Sequence, residues 1–249
     1  MANETKPIFF GFFIGNTLKS TFINNKTMWI IMISMDRVLH SLVCVSFFVG
    51  WYLIQYALLA FPGITTYNDA LAAWPLFTIL FILPYSLFSR AYYQKRTGLM
   101  PFGTVRFSDL RLPIIAMVIL SVATMFYGED ETSILEMLAL SPLHQFILVV
   151  SVVFAAPIIE EIIFRGFLLN AGMGYGPNGK HVMIIITSVL FAMIHHQYNS
   201  PATFIMIFVM SVIFCHVRIK TNSLMAPIIL HMINNAVAML LLFLLNDPP

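Results

Sequence analysis

Charged side chains are scarce in this chain. Asp, Glu, Lys and Arg make up 10% of its 249 residues, against about 25% in soluble domains. A water-exposed surface cannot be covered with so little charge, which excludes an ordinary soluble globule. Cysteine is nearly absent. Cys44 and Cys215 are the two present, each inside an apolar stretch and neither in a CxxC spacing. That excludes a disulfide framework or a thiolate zinc knot and leaves packing as their role. Net charge is only +2, and no basic run is interleaved with aromatics, so nucleic acid is excluded as a partner. The first apolar run, Ile8 to Gly15, is short. It is followed by Asn16, Thr17, Leu18 and Lys19 rather than a small-x-small site, so no cleaved signal peptide is expected. Internal repeats and low-complexity tracts are also missing.

Hydrophobic residues fill the space: 59% of the chain, with a mean hydropathy of +0.88. The bilayer is the natural solvent for such a chain, and a helix of about 20 apolar residues crosses it. Seven apolar stretches stand out, near 38–60, 71–89, 112–127, 143–173, 181–200, 202–217 and 221–245. Turn signals separate them, among them Pro62-Gly63, Gly128 with Glu129-Asp130-Glu131, Ser200-Pro201 and Thr221-Asn222-Ser223. The expected fold is all-α, a polytopic transmembrane bundle of seven spans, or eight if residues 28–35 form a helix of their own ahead of Asp36-Arg37. Residues 8–24 carry many Phe beside Asn16, Lys19 and Ser20, as an interfacial helix or an arm packed on the bundle would. We divide the chain into an N-terminal cytoplasmic or interfacial segment (1–37), N-terminal transmembrane helices (38–142) and a C-terminal transmembrane core (143–249).

Positive charge supplies an orientation. With the N-terminus in the cytoplasm, the inward segments are 1–37, 90–111, 165–181 and 218–220, and together they hold all 13 Lys and Arg. Segment 128–142 holds acidic residues instead. This is the positive-inside pattern, with the N-terminus in and the C-terminus out. A bacterial inner (plasma) membrane is the expected location.

Ionisable residues deep in a bilayer cost roughly 2.5 kcal/mol or more each and so usually serve function. The fourth stretch holds Glu160, Glu161 and Arg165; the fifth holds His195 and His196; the seventh holds His231, Asn234 and Asn235. A structural ion pair or interhelical hydrogen bond would account for one such group. Three groups on neighbouring spans point to a site. Glu161 and Arg165 are i,i+4 and share a helix face, so Arg165 can neutralise Glu161. Glu160 lies about 100° around the helix, free to face a different partner. His231 and Asn235 are also i,i+4. Counting about 1.5 Å per residue from the inner ends, Glu160, His195 and His231 lie roughly 20, 21 and 15 Å deep, so they can meet in one cavity open to the cytoplasm. A carboxylate beside histidines can hold and deprotonate water. Two histidines and a glutamate (Glu160, His195, His231) are also zinc-ligand types. The Asn235 amide suits a developing oxyanion better than a metal. These parts describe hydrolysis of an acyl bond, most simply a peptide bond.

The ordered set Glu160-Glu161-x-x-x-Arg165, Phe191-x-x-x-His195 and His231-x-x-x-Asn235 resembles the CAAX protease and bacteriocin-processing (Abi) family of intramembrane endopeptidases. Gly166 and the stretch Lys220-Thr221-x-Ser223-Leu224 look like the family too, and the likeness covers about 150–240. The resemblance implies a helical membrane enzyme that cuts a peptide or small membrane-associated protein. By motif position, Glu160 would activate water, and His195 would help hold it or a metal. His231 and Asn235 would stabilise the oxyanion, with Glu161 and Arg165 supporting the site. His196 and Asn234 fall outside the motif. The family has been described both as metal-dependent and as metal-free, so the cofactor is either none or a divalent metal such as zinc, and we favour none. No HExxH, GxSG or GxGD motif is present, which argues against the other intramembrane and zinc protease classes. The competing readings are an ion-coupled transporter or proton relay, and a catalytically silent immunity protein.

Overall fold

Backbone polar groups in lipid must be satisfied within the segment, and helices do this. The apolar stretches accordingly fold as helices in the structure, a computed structural model that describes residues 26–60, 67–127, 136–198 and 200–245. In chain order the α-helices are α1 (Lys26–Leu59), α2 (Tyr67–Phe77), α3 (Leu83–Thr97), α4 (Phe107–Tyr127), α5 (Pro142–Val150), α6 (Ala156–Glu160), α7 (Leu169–Met173), α8 (Gly176–Met193), α9 (Pro201–Thr221) and α10 (Met225–Leu245). A short 3₁₀ turn covers Glu136–Ala139. Among the described residues the architecture is all-helical, as expected.

Among the described residues, five segments are long and apolar enough to cross a membrane: Asp36–Ala57, Ala72–Thr97, Pro142–Met173, Pro201–Thr221 and Met225–Leu245. The remaining two apolar stretches form α4 and α8. Helix α8 has 18 residues and spends its first turns on Gly176, Pro177, Asn178, Gly179 and Lys180. Residues 28–35 do not make a separate eighth helix. They run into α1 without a break, because Asp36-Arg37 brings charge but no Gly or Pro to interrupt the hydrogen-bond ladder. The expected interfacial segment 8–24 and the acidic triplet Glu129-Asp130-Glu131 lie outside the described residues.

Among the described residues, three wide π turns interrupt these rods: Thr78–Ile82 between α2 and α3, Ser151–Ala155 between α5 and α6, and Glu161–Leu168 between α6 and α7. The first two have a common cause. Pro84 follows one and Pro157 the other. A proline lacks the N–H, and its ring crowds the carbonyl four residues back, so the turn before it widens. The third surrounds Gly166 and has no such proline.

The rod from α5 to α7 is the axis of the bundle. Every residue of its Glu161–Leu168 turn is buried. Phe167 stacks on Phe47 of α1 at 4.5 Å and meets Tyr93 of α3 at 5.3 Å, while Phe164 packs edge-on against Trp51 at 5.5 Å and Phe191 of α8 at 5.1 Å. Lipid offers no hydrophobic drive for helices to associate, so contacts of this kind, with close approach at small residues, hold them together. Both cysteines are free and buried, as expected.

At one end of the bundle the basic connections meet. Helix α3 ends on Lys95 and Arg96 and α9 on Arg218 and Lys220, each closed by a left-handed residue, Gly98 and Asn222. The loop after α3 is tied to the start of α10: Leu224 N donates to Pro101 O at 3.2 Å and Met225 N to Phe102 O at 3.0 Å. Lys220 pairs with Asp109 of α4 at 3.8 Å.

Candidate active site

Glu160 is the last residue of α6 and Glu161 the first of the wide turn. The two carboxylates grip one imidazole from both edges. His231 Nδ1–H donates to Glu161 Oε1 at 2.9 Å, and His231 Nε2 lies 3.8 Å from Glu160 Oε2. Glu160 was expected to face a partner of its own; instead the neighbouring side chains share His231, since each reaches a different ring nitrogen. Glu161 Oε1 also accepts from Arg165 Nη1 at 2.9 Å, the i,i+4 pair read from the sequence, and both residues are 0% exposed.

Arg165 is clamped by groups of which the sequence singled out Phe191 alone. Its Nη2 donates to Ser211 Oγ at 2.8 Å. Its guanidinium lies 4.2 Å from the ring centre of Phe191 and 5.2 Å from that of Phe214. Phe191 was noted as a motif position, and here it serves as one wall of the cation's cage. The pair thus joins the axial rod to α8 and α9 through Arg165, and to α10 through Glu161.

His195 was expected inside a span running to residue 200. Helix α8 ends at Met193 instead, and His195 sits in the turn beyond it. The backbone tightens there: His195 N donates to Ala192 O at 3.1 Å. Phe191 O, which an uninterrupted helix would pair with that N–H, accepts from His195 Nδ1 at 2.7 Å. The side chain therefore completes the helix end. A carbonyl can only accept, so Nδ1 carries the proton, and Nε2 of the neutral ring is left as an acceptor. Phe191 packs between the histidines, 4.7 Å from the His195 ring and 5.8 Å from the His231 ring, and Tyr198 stacks on His195 at 6.3 Å. Glu160, His231 and Arg165 all lie within electrostatic reach of His195.

Asn235 shares the face of His231, but its Nδ2 donates to Val152 O at 2.9 Å, and its Oδ1 accepts from Asn234 Nδ2 at 3.2 Å. His196 is exposed. Glu160, Glu161, Arg165 and His231 therefore form one connected cluster. His195 faces it across Phe191, and Asn235 borders it through the backbone of the axial rod.

Glu161 Oε1 is committed to Arg165 and His231, and both His231 nitrogens face carboxylates, while Glu160 Oε2 and Glu161 Oε2 have no hydrogen-bond partner. Among the described residues, no group of three or more His, Cys, Asp or Glu is placed to hold a metal ion. What the cluster offers is a proton acceptor. Glu160 Oε2 is buried and has no hydrogen-bond partner, an arrangement that costs free energy unless a ligand or reactant uses it.

Residues 142–237 match the family model described as type II CAAX prenyl endopeptidase Rce1-like. An uncharacterized 24.3 kDa protein of Escherichia coli is 35% identical over 77 residues, covering 31% of this chain and 36% of that protein. The membrane-embedded CAAX protease MroQ of Staphylococcus aureus (strain USA300) is 30% identical over 151 residues, 57% of this chain and 58% of the relative. The chain thus spans from about a third to somewhat over half of the length of these relatives. No solved structure matches.

Proposed function

We propose that this chain, a member of the CAAX protease and bacteriocin-processing family by its residues 142–237, is an intramembrane endopeptidase with Glu160 as its base. The observation that carries this reading is the unpartnered, buried Glu160 Oε2, 3.8 Å from His231 Nε2. A water beside Glu160 Oε2 donates one proton to that oxygen and the other to His195 Nε2, which leaves its lone pairs free to attack. Glu160 takes the proton as the water oxygen bonds to the scissile carbonyl carbon. The resulting oxyanion is stabilised by the second N–H of the Asn235 amide and by the N–H that His231 presents at Nε2 when both its ring nitrogens are protonated. Glu160 then passes its proton to the departing amine as the C–N bond breaks, and a carboxylic acid and an amine leave. Arg165 and Glu161 hold His231 in the orientation this requires.

The reaction on this reading uses protein groups alone. Stoichiometric zinc in active enzyme, whose removal and return switches cleavage off and on, would contradict that. The substrate is a peptide or small membrane-associated protein. The chain crosses the bilayer seven times, with α4 and α8 as the two further crossings, and sits in a bacterial plasma membrane with its N-terminus in the cytoplasm. The test is a comparison of the membrane and secreted peptides of cells carrying wild type or Glu160→Ala at equal levels. At least one precursor is expected to persist uncut in the variant. Indistinguishable peptide sets would contradict the endopeptidase reading.

A further inference from the structure

The axial rod has a gap in its backbone hydrogen bonds eight residues before Glu160, and a side chain from another helix fills it. In the wide turn Ser151–Ala155, Ala156 N–H reaches back five residues to Ser151 O. In that register the next carbonyl, Val152 O, needs the N–H of residue 157. Residue 157 is proline and has none. Val152 O is therefore left without a backbone donor inside a membrane span, where such a group is costly. Asn235 Nδ2 occupies the position at 2.9 Å. The acceptor is a carbonyl, so the facing atom is the amide nitrogen, and Asn234 Nδ2 holds the amide's other end at 3.2 Å.

We propose that Asn235 is a positioning residue that fixes the bend of the site helix by capping the Val152 carbonyl, which the wide turn and Pro157 leave unpaired. The bend matters because only α6, Ala156–Glu160, separates this turn from the one that begins at Glu161. The angle set at Val152 is passed directly to the two carboxylates. The tie also holds α10, and with it His231, against the rod. This task goes beyond a hydrogen bond to an oxyanion, and Asn235 performs it whether or not substrate is bound.

The test is a double-mutant cycle. Pro157→Ala restores an N–H that can reach Val152 O, so it makes Asn235 partly dispensable. Thermal midpoints of purified, detergent-solubilised wild type, Asn235→Ala, Pro157→Ala and the double variant are measured, together with cleavage of the substrate found in the peptide comparison. Asn235→Ala is expected to lower the midpoint by roughly 3–10 °C, and by less than half as much in the Pro157→Ala background. Cleavage by Asn235→Ala should rise severalfold when Pro157→Ala is added. An Asn235→Ala midpoint equal to wild type, or equal losses in both backgrounds, overturns the proposal. So does coupling in stability without recovery of cleavage, which would leave Asn235 with no positioning role. If Asn235→Ala alone cannot be purified, the double variant is expected to be, and its failure overturns the proposal as well. The midpoints need no substrate, so this result is read separately from the endopeptidase assignment.

Discussion

Removing the guanidinium of Arg165 leaves Glu161 charged, fully buried and facing His231 alone. Breaking a buried pair from one side costs about 3–5 kcal/mol, so Arg165→Ala should melt roughly 6–20 °C below wild type and lose cleavage as well. A wild-type melting curve would show that the pair does not hold the site. Ser211→Ala removes one acceptor from the same guanidinium and should cost about 1–2 kcal/mol, with partial loss of cleavage. Ser211→Thr, which keeps a hydroxyl, should recover both; if it does not, the hydroxyl is not what Arg165 needs. The Glu161–Arg165 contact was legible in the sequence because i,i+4 geometry is local. The bond from His231 to Glu161 joins residues 70 apart, and no spacing rule reaches that far. Ser211 gave no signal either: one hydroxyl in an apolar span looks like any other, and Thr203 is buried in the same helix.

At the scale of helices, the axial rod works because its irregularities are placed. Its length and apolar character could be read from the sequence to within a residue. The wide turns could not, although Pro157 hinted that the ladder must break near it. The span that holds α8 was read as running to residue 200, because the next turn signal is Ser200-Pro201, but His195 closes the helix with its own ring. The position of α8 also depends on close approach. A Cβ on Gly172 would lie 2.8 Å from Gly179 O and 2.1 Å from Met183 Cγ, and the backbone atom cannot rotate away. Gly172→Val should therefore push α8 off α7 and shift His195, lowering both the thermal midpoint and cleavage. Full activity in that variant would mean that His195 does not depend on this contact.

For the whole molecule, the charge partition is the strongest orienting feature, with one correction. Arg165 was counted among loop charges, but it is buried in the site, so it says nothing about topology. Of the rest, Lys95, Arg96, Arg218 and Lys220 close helices at the end where the loop around Phe102 is bonded to the start of α10. This supports one basic face. A reporter fused after Asn246 should read as external, and a cytoplasmic reading there would sink the seven-crossing topology. The central claim rests on Glu160, and kinetics with the substrate found by the peptide comparison test it most directly. Glu160→Gln keeps the size and polarity of the side chain but cannot take a proton from water. The account predicts cleavage slower by about 10²–10⁴-fold, with a thermal midpoint close to that of wild type. A Glu160→Gln enzyme that retains most of its cleavage rate would contradict it.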